Sequence, residues 1–299
     1  MAEHSPLTAS DTSSNTSWVN GELVPHGETA LRADDHAVVV GDGVFETTKV
    51  IDGAPFALSR HLRRLSQSAS GLKLKEPSES LIRSAIDAVL NADPGAGLLR
   101  ITWSSGSGPL GSSRGDGPGT LVVSTSGSNI WPTVERVHVV PWARNEHGAL
   151  AGLKTTSYAE NVLALATARE SECSEALFLN TAGLLCEGTG TNVFLVIGGS
   201  LVTPPLSSGC LAGITRELIL ETARQQVPGK PPEDVQVRDV DPHELLTAEE
   251  AFLTSATRNV SAISEITGGI QMTFDPAPGP VTTRVAAAFS ELEARTLDP

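Results

Sequence analysis

Basic residues are scarce in this chain. Lys and Arg number 21 against 35 Asp and Glu, which gives a formal net charge of −14 and a pI near 4.9. Nucleic acids and anionic membranes both require a cationic face, so neither is expected as a partner. Cysteine is scarcer still. Cys173, Cys186 and Cys210 are odd in number, widely spaced and form no C-x-x-C. That pattern predicts reduced, mostly buried thiols rather than a disulfide framework or a zinc site. The N-terminal stretch MAEHSPLTASDTSSNTSW has no apolar core of a secretion signal, and no run reaches membrane-span length, so a cytoplasmic protein is expected. Also missing are H-E-x-x-H, a Walker A loop and a G-x-G-x-x-G that follows a strand and opens a helix. Zinc-hydrolase and nucleotide readings therefore lack support.

What is present suffices for a core: 299 residues, 39% of them hydrophobic, enough for one large domain or two of ordinary size. Residues 1–16 are rich in Ser and Thr and read as a frayed tail. SWVNGELVP predicts a hairpin on Asn20-Gly21, and AVVVGDGVFETTKVIDGAPFAL predicts two strands around Asp52-Gly53. Helices follow at SRHLRRLSQSASGLKL and SESLIRSAIDAVLNA, where apolar residues recur at helical spacing. GLLRITWSS and GTLVVSTS are strands flanking a Gly/Ser/Pro loop at 105–119, and VERVHVVPW is another strand. In GLKTTSYAENVLALATARE, Ser157 and Glu160 have the spacing of a capping box ahead of Val162, Leu163, Leu165 and Ala166. Strands EALFLN, LLCEG, NVFLVIGG and SLVTPPL come next, then a helix at GITRELILETARQQV. TAEEAFLTSATRNVSAISEI reads as helical first and then as strands, and VTTRVAAAFSELEARTL closes as an amphipathic helix. The order is not a regular βαβ alternation. It predicts an α+β fold with a smaller N-terminal domain at 17–143, an interdomain loop at 144–153 and a larger C-terminal domain at 154–299.

Four stretches carry chemistry. Lys154 stands in a chain poor in lysine, beside three hydroxyls and one turn ahead of Tyr158, the single tyrosine. A lysine at a helix approach is by default a solvated charge, but a desolvated one condenses with carbonyls. In CEGTGTN, Gly188 and Gly190 permit close backbone approach, and Glu187 ends an apolar strand where a carboxylate can face a protonated ring nitrogen. GCLAGITRE leads through Gly213, Ile214 and Thr215 into a helix N-terminus, which favours an anion. RHLRRL puts three arginines on one helix, able to pair with phosphate. A carbonyl-trapping amine, a carboxylate, a guanidinium and a helix N-terminus together match the needs of pyridoxal 5'-phosphate.

GDGVFET (41–47), HLRRL (61–65), KTTSYAENVLA (154–164), EGTGTN (187–192), GITRE (213–217) and FLTSATRN (252–259) occur in the order found in the class IV aminotransferases. The chain resembles that family, the fold type IV pyridoxal-phosphate enzymes, over about residues 18–265. The resemblance implies a two-domain, D-amino acid aminotransferase-like α+β fold with the cofactor between the domains. It implies that Lys154 is the Schiff-base lysine and proton shuttle, that Glu187 faces the pyridine nitrogen and that Arg64 holds the phosphate. It further implies that Tyr158 approaches the phenolic oxygen, and that Thr191, Ile214 and Thr215 bind the cofactor. Where relatives often place a threonine near the phosphate, this chain has Ala256 between Ser255 and Thr257. Substrate contacts are expected from Phe45 and Thr47 and from the 105–119 loop. There Leu110 and Ser112 occupy the places where D-amino acid transaminases carry an Arg and a His, and Phe45 stands where those enzymes often have Tyr. Arg114, Arg144 and Arg258 are the candidates to replace the missing carboxylate clamp. The activity implied is transamination between a small amino acid or amine, with a D-amino acid or (R)-amine favoured, and a 2-keto acid. The alternatives are an aminodeoxychorismate lyase, a branched-chain L-amino acid transaminase and an inactive cofactor-binding relative. The resemblance also implies a homodimer.

Overall fold

The computed structural model describes residues 15–224 and 234–299. Residues 1–14 of the expected tail and the end of the helix expected through Val227 lie outside them. Two compact units share the chain. One takes residues up to 131, then 153–158 and Asp298; the other takes 132–152 and 159–297.

The first unit contains β1 (Ser17–Val19), β2 (Glu22–Val24), the short α1 (His36–Val39), β3 (Gly43–Ile51), β4 (Ala54–Pro55), α2 (Leu58–Gly71), α3 (Glu79–Ala92), β5 (Leu98–Ser104) and β6 (Thr120–Ser126). Its strands form one antiparallel sheet in the order β2-β1-β6-β5-β3-β4. The two expected turns are there. Asn20 and Asp52 have φ of 47° and 49°, and each precedes a glycine of positive φ, the paired left-handed conformation of a tight hairpin turn. Period-2 alternation splits the sheet into two faces. Leu99, Ile101, Trp103, Leu121 and Val123 join Leu62, Leu65, Ile82, Ile86 and Val89 of α2 and α3 in one core. Fully burying each such Leu or Ile contributes about 1.5–3 kcal/mol. α3 is capped by Ser78, whose hydroxyl accepts the Leu81 N–H at 3.4 Å. α2 has no side-chain cap, because its capping position is Ala57, which carries no acceptor and lies in the left-handed region. Its first turn is held by Asp298, which accepts the Ser59 N–H at 3.0 Å and the Ser59 hydroxyl at 2.5 Å.

The second unit contains β7 (Val134–Arg144), α4 (Ala159–Glu170), β8 (Glu175–Asn180), β9 (Leu185–Gly188), β10 (Asn192–Ile197), β11 (Ser200–Thr203), α5 (Ile214–Arg224), β12 (Val235–Val237), β13 (Glu250–Ser255), β14 (Asn259–Thr267), β15 (Met272–Thr273) and α6 (Pro280–Arg295). Its strands form a nine-stranded mixed sheet in the order β12-β11-β10-β13-β14-β7-β8-β9, with β15 on β14. β10 and β13 are almost wholly buried, which explains their continuous apolar runs.

Three expectations change. The boundary expected after residue 143 falls at the end of β7, which pairs in parallel with β8 and β14 and so belongs to the second unit. Its partners lie later in the chain, beyond the reach of a local reading. The capping box at Ser157 and Glu160 is not formed: the Ser157 hydroxyl donates to the Gly41 carbonyl and Glu160 pairs with Arg144. α4 buries Ala164 and Ala168, whereas Val162 and Leu163 are 63% and 53% exposed. Finally, residues 247–250 are not helical. The helical turn lies upstream at Pro242–Leu246, closed by a capping box between Asp241 and Glu244. Glu250 opens β13 and accepts the Val281 and Thr282 amides of α6 at 2.8 and 2.7 Å.

Candidate active site

Lys154 belongs to the first unit because the chain there lies against the start of β3. The Phe45 N–H donates to the Lys154 carbonyl at 3.1 Å, and the Thr156 N–H to the Gly43 carbonyl at 2.8 Å. The hydroxyls of Thr156 and Ser157 donate to the Gly41 carbonyl at 2.8 and 3.0 Å. Glycines make this approach feasible: a Cβ on Gly41 would lie 2.9 Å from Ser157 Oγ, and one on Gly43 would lie 3.1 Å from Thr156 Oγ1. From α2, Ser68 Oγ accepts the Lys154 N–H at 3.1 Å.

The Lys154 side chain ends on an aromatic platform. Its Nζ lies 4.3 Å from the Phe45 ring centroid and 5.9 Å from that of Tyr158, and the two rings meet edge to face at 5.4 Å. The Arg100 guanidinium stands 3.8 Å from the same Phe45 centroid. Arg100 is opposite Thr47 in the β3–β5 register, on the sheet face that Phe45 occupies and away from the α2–α3 core. Among the described residues no carboxylate lies within ion-pair distance of it, and burial lowers its pKa against the opposing effect of Tyr158. Lys49 shares that face. Its ammonium is 4.8 Å from the Phe56 centroid, and burial pushes its pKa down to about 7.

On the opposite face of β3, Glu46 is buried beside Arg64 and His61. Arg64 donates to it from Nε and Nη2, both at 2.7 Å, and His61 Nδ1 is 2.7 Å away. Burial works against the Glu46 charge, but the Arg64 guanidinium, followed by His61, outweighs it and holds the carboxyl at about 2. His61 shifts the other way: burial lowers its pKa despite Glu46, and the charges of Arg64 and Lys154 add to the shift. Its Nε2 is buried, with no hydrogen-bond partner among the described residues.

The second unit carries the other expected ligands. Glu187 lies opposite Phe178 in the β8–β9 register, and the Arg144 guanidinium packs 4.1 Å from the Phe178 centroid. Glu187 Oε2 accepts the Leu211 N–H at 2.8 Å, and its Oε1 is 3.5 Å from Arg144 Nε. Ile214 and Thr215 form the first turn of α5, where amides have no intrahelical acceptor. Thr191 is buried with its hydroxyl 3.4 Å from Glu175 Oε2, and Thr189 bonds the same carboxylate through its amide and hydroxyl. Ser255 Oγ accepts the Arg258 N–H at 3.1 Å and lies 3.5 Å from Thr257 Oγ1, so that Ser255, Ala256 and Thr257 form the turn after β13.

The three arginines expected to clamp a substrate carboxylate each pair with carboxylates of the chain. Arg114 pairs bidentately with Asp42. Arg144 holds Glu160 and Asn161 beside Glu187. Arg258 is 5% exposed and sits between Glu135 and Glu175. Leu110 is 79% exposed, and Ser112 is exposed beside it. Sequence reasoning passed over Arg100, Glu46 and His61. Arg100 had one signal, a lone cation in the apolar strand LLRITW, but only the strand register puts it beside Phe45.

Each unit offers groups that fit pyridoxal 5'-phosphate. The first supplies a primary amine on an aromatic platform and a buried imidazole nitrogen with no partner among the described residues; the second supplies a carboxylate held by an amide and a guanidinium, and the first-turn amides of α5. Among the described residues no cluster of His, Cys, Asp and Glu suits a metal ion, and no helix is long and apolar enough to cross a membrane.

Comparison with known proteins agrees with this chemistry. Residues 43–266 match the family model of amino-transferase class IV. A putative branched-chain-amino-acid aminotransferase of Methanocaldococcus jannaschii is 28% identical, with 93% of this chain and 96% of that protein covered. A bifunctional aminodeoxychorismate lyase / D-amino acid transaminase of Mycobacterium tuberculosis is 31% identical, over 69% of this chain and 77% of that one. A T.th. branched-chain amino acid aminotransferase, solved in complex with N-(5'-phosphopyridoxyl)-L-glutamate, superposes with a TM-score of 0.81 at 27% identity, over 96% of this chain and 95% of that one.

Proposed function

Because this chain belongs to the class IV aminotransferases, enzymes that use pyridoxal 5'-phosphate, we propose that it is a transaminase moving an amino group between a small amino acid and a 2-keto acid. The observation that carries this reading is the pairing of Lys154 Nζ and the Arg100 guanidinium on one Phe45 ring, at 4.3 and 3.8 Å. An amine that takes protons and a cation beside it match a donor with both an α-proton and a carboxylate. D-Amino acids come first among donors, in keeping with the name of the Mycobacterium tuberculosis relative.

When bound, the cofactor supplies an aldehyde and an electron-accepting pyridine ring. Lys154 Nζ would take the α-proton of the donor and pass a proton on within the first half-reaction, and in the second would deliver a proton to the α-carbon derived from the 2-keto acid. Phe45 and Tyr158 keep that amine out of bulk water. Glu187, fixed by the Leu211 amide and by Arg144, would hold the proton of the ring nitrogen. Arg64, oriented by Glu46, offers a guanidinium that would suit the phosphate, and the second unit offers the first-turn amides of α5 to the same kind of anion. Arg100 receives the donor carboxylate.

The test is a half-reaction. The holo-protein is mixed with D-alanine alone and its cofactor absorbance followed. The band is expected to disappear and to return when a 2-keto acid is added. A second reading, the lyase, is favoured by the same bifunctional relative. No spectral change with any amino acid, together with 4-aminobenzoate released from aminodeoxychorismate, would replace the transaminase by that reading.

A further inference from the structure

We propose that Arg114 is a positioning residue for Lys154, clamping together the two supports on which the lysine backbone hangs. This rests on the reading of Lys154 as the reacting amine. One support is α2, whose Ser68 hydroxyl accepts the Lys154 N–H. The other is the Gly41–Gly43 segment, whose carbonyls take Thr156 and Ser157. Arg114 touches both. Its Nε and Nη2 donate to the two carboxylate oxygens of Asp42, between those glycines, at 2.7 and 2.6 Å. Its Nη1 donates to the Lys73 carbonyl and its Nη2 to the Leu72 carbonyl, each at 2.9 Å, at the C-terminal end of α2.

Four hydrogen bonds from one planar fork fix the distance between the end of α2 and the start of β3, a geometry that an ammonium cannot reproduce. The charge is also correctly placed, since a cation at a helix C-terminus complements the macrodipole. The Arg114 hydrogen bond holds the Asp42 carboxyl below its ordinary range, and the Asp42 pair raises Arg114. Arg114 lies in the 105–119 loop, which is pinned at its base: Gly108 N–H donates to the Asp34 carbonyl at 3.0 Å, and His36 Nε2 is 2.8 Å from the Pro109 carbonyl. The loop thereby acts on the lysine frame through the Arg114 contacts to Asp42, Leu72 and Lys73.

The competing role is that of a clamp on the substrate carboxylate, and two readouts separate the roles. The first is hydrogen exchange on the cofactor-free chain with Arg114→Met and Arg114→Lys. The Phe45 and Thr156 amides are expected to exchange about tenfold faster in R114M, with the β10 amides unchanged. R114K is expected to fall in between, and it carries the comparison if R114M also loses protection in β10. The second readout is steady-state kinetics with D-alanine and with (R)-phenylethylamine, which has no carboxylate. Positioning predicts an equal fall in kcat of about tenfold for both donors, with KM little changed. Unchanged protection at Phe45 and Thr156, with a rise in KM confined to D-alanine, would overturn the proposal and make Arg114 the clamp. If the native protein transaminates neither donor, the functional reading fails, and the exchange data still decide the role of Arg114.

Discussion

Glu46 shows how a buried carboxylate ties stability to pH. Its folded-state pKa, about 2, lies below the ordinary range for a glutamate. A carboxyl of this kind contributes stability that is complete above its unfolded pKa and is lost as pH falls toward the folded value. Denaturant unfolding should therefore show a loss of stability from about pH 4.5 to pH 2, and Glu46→Gln should flatten that slope while weakening cofactor retention through Arg64. An E46Q variant with the native slope would mean that Glu46 is not the group responsible. Lys49 has the opposite sign. Its folded pKa is lowered to about 7, so the charged form is disfavoured in the folded state and stability should rise between about pH 7 and pH 10. Lys49→Met should remove that rise in thermal unfolding. For Arg100, loss of a charge-assisted contact costs about 1.5–3 kcal/mol, or roughly 10- to 100-fold. Arg100→Met is expected to raise KM for D-alanine by that factor and to leave (R)-phenylethylamine almost unaffected. Equal losses on both donors would remove Arg100 from the substrate site.

At the scale of elements, α2 is held at both ends by residues far away in sequence. Asp298 supplies the anion at its N-terminus and Arg114 the cation at its C-terminus. Asp298→Ala should cost about 1 kcal/mol, as the loss of an N-cap does, read as a lower denaturant midpoint with unchanged slope. The same helix marks the limit of what its sequence discloses. HLRRL reads as a helix from the spacing of Leu62 and Leu65, and those two residues are in the core. That Arg64 pairs with Glu46 follows from packing across two layers, which no local periodicity encodes. The hairpins at Asn20-Gly21 and Asp52-Gly53 were legible because the turn chemistry is local. β7 was legible as a strand but not as part of the second sheet, since parallel partners arrive later in the chain. The lysine segment was legible as a motif, but its capping box was not: Gly41 competes for the Ser157 hydroxyl, and Arg144 for Glu160.

At the scale of the whole molecule, the unburied apolar residues of α4 matter. Val162 and Leu163 are exposed, and Trp142 and Leu150 in the same unit are 39% and 42% exposed. Separate exposed apolar residues are ordinary, but a helix that turns Val and Leu outward asks for a cover. A second copy of the chain is the expected cover, and Val162→Lys with Leu163→Lys should lower the sedimenting mass to that of a monomer. A native chain that already sediments at 31.1 kDa would contradict this. The net charge of −14 adds that association should strengthen as salt screens the repulsion.

The six residues 153–158 also bear on modularity. They carry Lys154, the proposed reacting amine, and they join the first unit although the chain on either side of them belongs to the second. A gene cut between Trp131 and Pro132 would leave the lysine on one product and most of its cradle on the other. Neither half could be inherited, shuffled or transplanted alone with its chemistry intact. Activity could return only when the two products found each other and Thr156 docked again on Gly43.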